Sequence, residues 1–452
     1  MGLEVKENKM GVLPIKKLIL SMALPMMISM LVQALYNIVD SIFVAKINEN
    51  ALNAVSLSFP LQTLMISLGS GTGVGVNALL SKALGEKKFD RANAAADNGL
   101  FLTLISYFVF LGLGIFAVKP FFLTQTSHEQ IVSYGVDYLS ICCCFSLGLF
   151  FQMMFERLLQ STGNTLYSMI SQMSGAIVNI IMDPILIFGY FGFPRLEVKG
   201  AAIATVIGQF VAACIGLILN IKFNKEIKLS LKGMFKPDLK IIKIIYVVGI
   251  PSILMMSIGS VMTYLMNRIL LTFTATATAV FGVYFKLQSF FFMPVFGLNN
   301  GLIPVLAYNY GARNKERIRE ALEFAMMLAV GVMLVGLVIF ETIPDVLLKM
   351  FNASDKMMDM GKVALRTMCL SFPFAGLCIA MGSVFQAFSK SIYSLIISVG
   401  RQLVILIPAA YLLSLLGNVN YVWWSFPIAE IASVILSVFF YRKVHREIVD
   451  KL

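Results

Sequence analysis

Apolar runs of 20 residues or more recur along the whole chain, and short stretches between them carry most of its charge. A run of that length crosses a hydrocarbon core of roughly 30 Å as a helix. A backbone in hydrocarbon must satisfy its own hydrogen bonds, which leaves helices or a closed barrel. Barrel strands would alternate apolar and polar residues in segments of about ten, and the chain shows no such alternation. Its 13% of charged residues is too few to coat a soluble protein of this size, about half the usual share.

Twelve spans are predicted, at 15–45, 53–81, 95–118, 130–161, 165–190, 199–221, 240–270, 277–309, 319–341, 360–387, 391–415 and 421–442. The first run lacks a small-residue cleavage site and reads as a retained helix. Alternate loops hold the Lys and Arg, as the positive-inside rule requires. One face has Lys6, Lys9, Lys16 and Lys17, then Lys82, Lys87, Lys88 and Arg91, the linker from Lys222 to Lys243, Arg313 to Arg319, and Arg442 to Lys451. The other face has only scattered ones, such as Lys46, Lys119 and Lys349. Both termini are therefore expected in the cytoplasm, and the net charge of +12 reports topology rather than nucleic-acid binding. The six cysteines, Cys142, Cys143, Cys144, Cys214, Cys369 and Cys378, lie in apolar runs without metal or disulfide spacing and read as packed thiols.

Shifting the sequence by 226 residues brings out an internal repeat. Pro25 meets Pro251; Phe59, Leu61 and Gln62 meet Phe285, Leu287 and Gln288; Gly71 meets Gly297, Gly85 meets Gly311, and Arg91 meets Arg317. Gln160 meets Gln386, and Tyr167, Ser168 and Ile170 meet Tyr393, Ser394 and Ile396. Six spans per half insert both halves in the same orientation, a parallel repeat. The expected domains are a lobe at 1–221, a basic linker at 222–239 and a second lobe at 240–452. Paired lobes that rock about a shared cavity are the architecture of a carrier.

Charges inside spans are costly and point to function. Asp40 closes Tyr36-Asn37-Ile38-Val39-Asp40 in the first span, and Asp183 stands before Pro184 in the fifth. Asn179 lies four residues before Asp183 and shares its helix face. Pro184 removes a backbone donor, so a freed carbonyl can join them as an ion ligand. Two carboxylates with an amide suit a proton, because burial and mutual repulsion favour a carboxyl's protonated form. They equally suit Na⁺, a hard cation that takes oxygen ligands; Asp40, Asn179 and Asp183 are then the metal ligands. The plainer reading has each Asp capping a helix end or lining solvent. At the repeat offset the three become Met266, Ile405 and Ala409, so the acids belong to the first half alone.

Gln152, Glu156 and Gln160 form a polar stripe on the fourth span, a candidate site for a cationic substrate. The alternative is a stripe at the cytoplasmic end, with Glu156 paired to Arg157. Lys286 and Arg401 lie in spans of the second half and either balance cavity charge or snorkel to an interface; Lys286 is expected to be buried. Glu430 is a similar intramembrane charge without an assigned role. The 27 Met and 36 Phe are mostly lipid-facing and core residues, with a few available to a cavity.

Several segments together carry a family likeness: Pro25 with Tyr36 to Asp40, Gly69-Ser70-Gly71-Thr72-Gly73, Ala83-Leu84-Gly85-Glu86-Lys87-Lys88, Gln160-Ser161-Thr162-Gly163-Asn164, and Asn179 to Pro184. Across essentially its whole length the chain resembles the multidrug and toxic compound extrusion (MATE) transporters, with the look of their MepA-like and DinF-like bacterial branch. The resemblance implies twelve transmembrane helices in two six-helix repeats around a V-shaped central cavity. It implies export of organic cations and other drugs in exchange for H⁺ or Na⁺, with no cofactor. It assigns the coupling acids to Asp40 and Asp183, the amide to Asn179, and hydrogen-bonding neighbours to Tyr36, Tyr138 and Thr205. Some NorM-type members carry a further acid in the C-terminal lobe, and this chain has no clear match to it.

The expectation is an all-α polytopic membrane protein working as a drug antiporter by alternating access. Its partners are a small-molecule substrate and the plasma membrane bilayer, with no nucleic acid, and it is expected to act as a monomer. The rival closest in fold is a flippase for a lipid-linked precursor, which tends to have more spans and a strongly cationic cavity. A membrane-embedded enzyme needs clustered catalytic groups, whereas the only histidines, His128 and His445, fall in predicted loops or tails. No nucleotide-binding glycine-lysine loop is present either. A channel fits less well than a carrier, because acids confined to one of two parallel halves suit a coupled cycle.

Overall fold

The computed structural model describes residues 7–351 and 353–452, so Lys6 lies outside them. Among the described residues ten helices are long and apolar enough to cross a membrane, and counting each of two bent helix pairs as one span brings the number to twelve. The first six spans are Ile15–Ala45, Glu49–Gly85, Phe89–Phe116, the pair Glu129–Cys144 with Leu147–Ser161, Thr165–Phe188 and Val198–Phe223. The second six are Leu239–Leu271, Ala275–Gly311, Lys315–Thr342, the pair Asp355–Cys369 with Phe372–Ala387, Ser391–Ser414, and Ser425–Glu447. Large apolar side chains such as Phe108, Phe116, Val335 and Phe439 point outward from these helices, as expected where the surrounding solvent is lipid.

The repeat extends to backbone detail. The fourth and tenth spans break at matching places, by 48° and 43°. Asn48 and Thr274 cap the second and eighth spans, their side chains accepting from the N–H groups of Ala51 and Ala277. The chain turns left-handed at Lys87 (φ 58°) and again at Arg313 (φ 54°), and at Gly163 (φ 91°) and again at Ser389 (φ 59°). Non-glycine residues adopt that conformation only at a cost, so its recurrence at the same offset marks one turn design used twice.

The packing forms two compact units, one of residues up to Met27 with Leu254–Leu452 and one of Ile28–Ile253. Their boundaries fall inside the first and seventh spans. In the first of these units the eighth span lies against the start of the first span. A Cβ on Gly297 would lie 2.6 Å from the Met26 carbonyl oxygen, and one on Gly301 2.9 Å from Ala23 Cα. In the other unit Gly71 and Gly75, the repeat equivalents, press on the seventh span at Gly249 and Ile245. The same exchange holds ahead of each span. Asn309 and Arg317 hold the short helix Lys9–Val12 by donating to the Met10 carbonyl. Asn93, Asp97 and Asn98 hold the linker by accepting from the N–H groups of Lys228 (2.8 Å), Ser230 (3.1 Å) and Asp238 (2.8 Å).

All six cysteines are free thiols. Cys142, Cys143, Cys369 and Cys378 are buried as packed thiols, but Cys214 is exposed on the sixth span. Lys286 departs from expectation as well, for its residue is exposed on the eighth span rather than buried. Its helical neighbours Tyr284 and Leu287 take the inward positions.

Candidate functional site

The site lies within the Ile28–Ile253 unit and is built by close approach of the fifth and sixth spans. Gly175 and Gly208 face each other there, and a Cβ on either would lie 2.8 or 2.7 Å from the other's carbonyl oxygen. Only glycine permits backbones this close. The approach brings Thr205 of the sixth span against Asn179 of the fifth. The Asn179 amide fits its surroundings in one orientation: Nδ2 donates to Asp183 Oδ2 at 3.1 Å, and Oδ1 accepts from Thr205 N at 3.0 Å and Thr205 Oγ1 at 3.3 Å. Asp183 is fully buried. Pro184, with no N–H, leaves the Ile180 carbonyl without its helical donor.

The first span supplies the other carboxyl. Asp40 lies within side-chain hydrogen-bonding reach of Asp183. One oxygen of each, Asp40 Oδ1 and Asp183 Oδ1, is buried without a hydrogen-bond partner. Tyr36 lies within side-chain hydrogen-bonding reach of Thr205. Tyr138 of the fourth span accepts from Gln62 Nε2 at 3.2 Å and contacts Cys142. The six residues singled out in the sequence therefore form one cluster: Tyr36, Asp40, Tyr138, Asn179, Asp183 and Thr205. Gln62 and Cys142 join it unforeseen.

Val44, Ile187, Val198, Ala201 and Ala202 pack an apolar cluster beside the site, shared with Tyr138 and Cys142. Among the described residues neither Asp40 nor Asp183 takes part in an ion pair, and no three His, Cys, Asp or Glu side chains converge as a metal cluster. The polar groups continue along the first span at Ser29, Gln33, Tyr36 and Asp40, which share one helix face. Ser29 donates to Gln172 of the fifth span, and Gln172 Nε2 donates to Gln33 Oε1 at 2.8 Å.

The stripe on the fourth span is separate. Gln152 Nε2 donates to Glu156 Oε1 at 3.0 Å, and Glu156 is 8% exposed. Arg157 donates to Gln160 Oε1 at 2.9 Å and to Ser70 Oγ at 3.3 Å, and Gln160 Nε2 donates to Ser168 Oγ at 2.9 Å. Both ends of the Gln160 amide are thus engaged within the bundle, whereas Glu156 has one amide partner.

The sequence matches the family model MatE twice, over residues 25–185 and 251–412, and the two starts differ by 251 − 25 = 226 residues. The chain belongs to the MatE family. It is a multi-pass membrane transporter and not an enzyme. The multidrug export protein MepA of Staphylococcus haemolyticus is 27% identical to this MatE chain over 442 residues, covering 96% of it and 95% of MepA. An FAD transporter of Shewanella oneidensis is 25% identical over 418 residues, covering 92% of each protein. In fold, this MatE chain matches an outward-facing multidrug resistance transporter of the MATE family with a TM-score of 0.93 at 24% identity, covering all of both chains.

Proposed function

We propose that this MatE protein is a secondary active exporter. It expels organic cations or other amphipathic drugs in exchange for H⁺ or Na⁺ bound at Asp40, Asn179 and Asp183. One observation carries the reading: two carboxyl groups lie within hydrogen-bonding reach of each other beside an apolar cluster, with no basic partner among the described residues. Two carboxylates in contact cannot both stay bare and ionised. A proton or a cation between them satisfies the pair, and its loss restores the repulsion. That is a two-state element able to bias a carrier.

In this cycle a cation entering from outside binds the three residues and displaces cargo held elsewhere. Thr205 and Tyr36 orient the amide and the carboxyls. Glu156, with Gln152 and Gln160 behind it, supplies negative charge to a cationic drug, and Lys286 adjusts the charge met by cargo in the C-terminal half. The MepA relative supports drug export, and the FAD transporter relative makes a flavin dinucleotide the competing cargo. The protein works as a monomer in the plasma membrane with both termini in the cytoplasm, and exposes its cargo to each side in turn by alternating access.

Efflux of ethidium, and separately of FAD, from proteoliposomes under an imposed pH gradient and then a Na⁺ gradient tests this. Ethidium efflux driven by one gradient and lost in Asp183→Asn supports the coupled exporter and names its ion. Normal efflux from both Asp40→Asn and Asp183→Asn refutes the site assignment.

A further inference from the structure

The two halves treat their inner charges in opposite ways. At the positions of Gly175 and Gly208, where the fifth and sixth spans touch, the second half has Arg401 and Val434. Neither permits such an approach. The eleventh span instead leaves α geometry at Gly400 and runs as a π-helix to Leu406, whereas the fifth span is α-helical from Thr165 to Phe188. A π-helix bonds i to i+5 and so shifts the helical register of the residues it holds.

Arg401 stands in this segment and reaches the twelfth span. Its Nη1 donates to Glu430 Oε1 at 2.8 Å. Glu430 is 8% exposed, and its Oε2 is buried without a hydrogen-bond partner. At the repeat offset Glu430 corresponds to Ala204, one residue before Thr205 of the first-half site. The second half thus places an acid beside the counterpart of that site and fills it from its own chain. Gln402 Nε2, tied to Ser398 Oγ at 3.0 Å, fixes the segment beside Arg401. The other titratable groups around the pair are Tyr284 of the eighth span and Cys378 of the tenth.

We infer that Arg401 is a tethered counter-cation that prevents Glu430 from taking an exchangeable H⁺ or Na⁺ and so sets the number of ions the protein exchanges. A coupling ion must leave in every cycle. A guanidinium on its own side chain cannot leave, and it stays charged at any working pH. The inference rests on the reading of Asp40 and Asp183 as an exchangeable site, and it adds that the second half has been closed to the same chemistry.

The test is proton uptake by potentiometric titration, with binding of radiolabelled Na⁺, on the full chain in detergent micelles. Arg401→Gln should take up about one more exchangeable cation per chain than wild type. Arg401→Lys, which keeps a tethered charge, should superpose on wild type. Arg401→Gln/Glu430→Gln should lose the gain. Identical curves for Arg401→Gln and the double variant overturn the inference. Should Arg401→Gln not fold, Glu430→Gln decides alone: unchanged uptake supports the inference, and loss of about one cation refutes it. Asp40→Asn/Asp183→Asn on the same instrument tests the first-half site separately. If that variant matches wild type, the exchange reading fails, and the Arg401 curves still report whether Glu430 was closed.

Discussion

Arg317 and Met10 are 307 positions apart, yet Nη2 of the arginine donates to the Met10 carbonyl at 3.0 Å and to the Leu13 carbonyl at 2.8 Å. Its Nε donates to Asn309 Oδ1 at 3.1 Å, and Asn309 Nδ2 donates to Met10 O at 3.1 Å. Charged hydrogen bonds contribute more than neutral ones, so Arg317→Ala is expected to cost about 2 kcal/mol. Hydrogen exchange should show faster opening confined to Lys9–Val12. Arg317→Lys, lacking the planar fork, should recover only part of the protection.

Asp183→Asn retains an oxygen that can accept from Asn179, so the variant should insert and fold. Its defect should lie in coupling: gradient-driven efflux reduced at least about tenfold, equivalent to roughly 1.4 kcal/mol, with binding of ethidium retained. Comparing gradient-driven with downhill transport checks this. Loss of both would place Asp183 in cargo binding instead.

A methyl group at Gly208 would lie 2.7 Å from the Gly175 carbonyl oxygen and 3.1 Å from Asn179 Cβ. Gly208→Ala must therefore move the sixth span off the fifth, and overpacking of this kind costs about 1–3 kcal/mol. Thermal unfolding in detergent should record the loss. Cation binding should weaken with it, because Thr205 is carried on the moving helix.

Glu156→Gln keeps an acceptor for Gln152 and the side-chain volume, so stability should change by less than about 1 kcal/mol. Losing the negative charge should raise the KM for ethidium while leaving a neutral drug unaffected. Transport assays with one cationic and one neutral substrate check it. An equal change for both would make Glu156 a packing residue.

Hydropathy was enough to place the spans, because long apolar stretches must be helical in a bilayer. It was blind to hydrogen-bond register, so neither the breaks at Cys144 and Cys369 nor the π-helix at Gly400–Leu406 was legible. Asp40, Asn179 and Asp183 stood out as polar groups in apolar surroundings. Gln62 stood only as a position matched to Gln288 across the repeat. Lys286 shows the limit from the other side: a position within a span does not reveal which face it occupies. Arg401 and Glu430 were visible as lone charges. Their pairing depends on two different helices and on the local π register.

The exchanged helix starts leave neither half complete without the other. Residues 15–27 pack against glycines of the other half, and residues 239–253 return the arrangement. Each half therefore lends an arm and receives one, as subunits of a swapped dimer do. A six-helix half made alone would present Gly71 and Gly75 uncovered and an arm with nothing to grip. It could recover both by trading arms with a second copy of itself. The single chain makes that trade within itself, each half covering the glycines of the other.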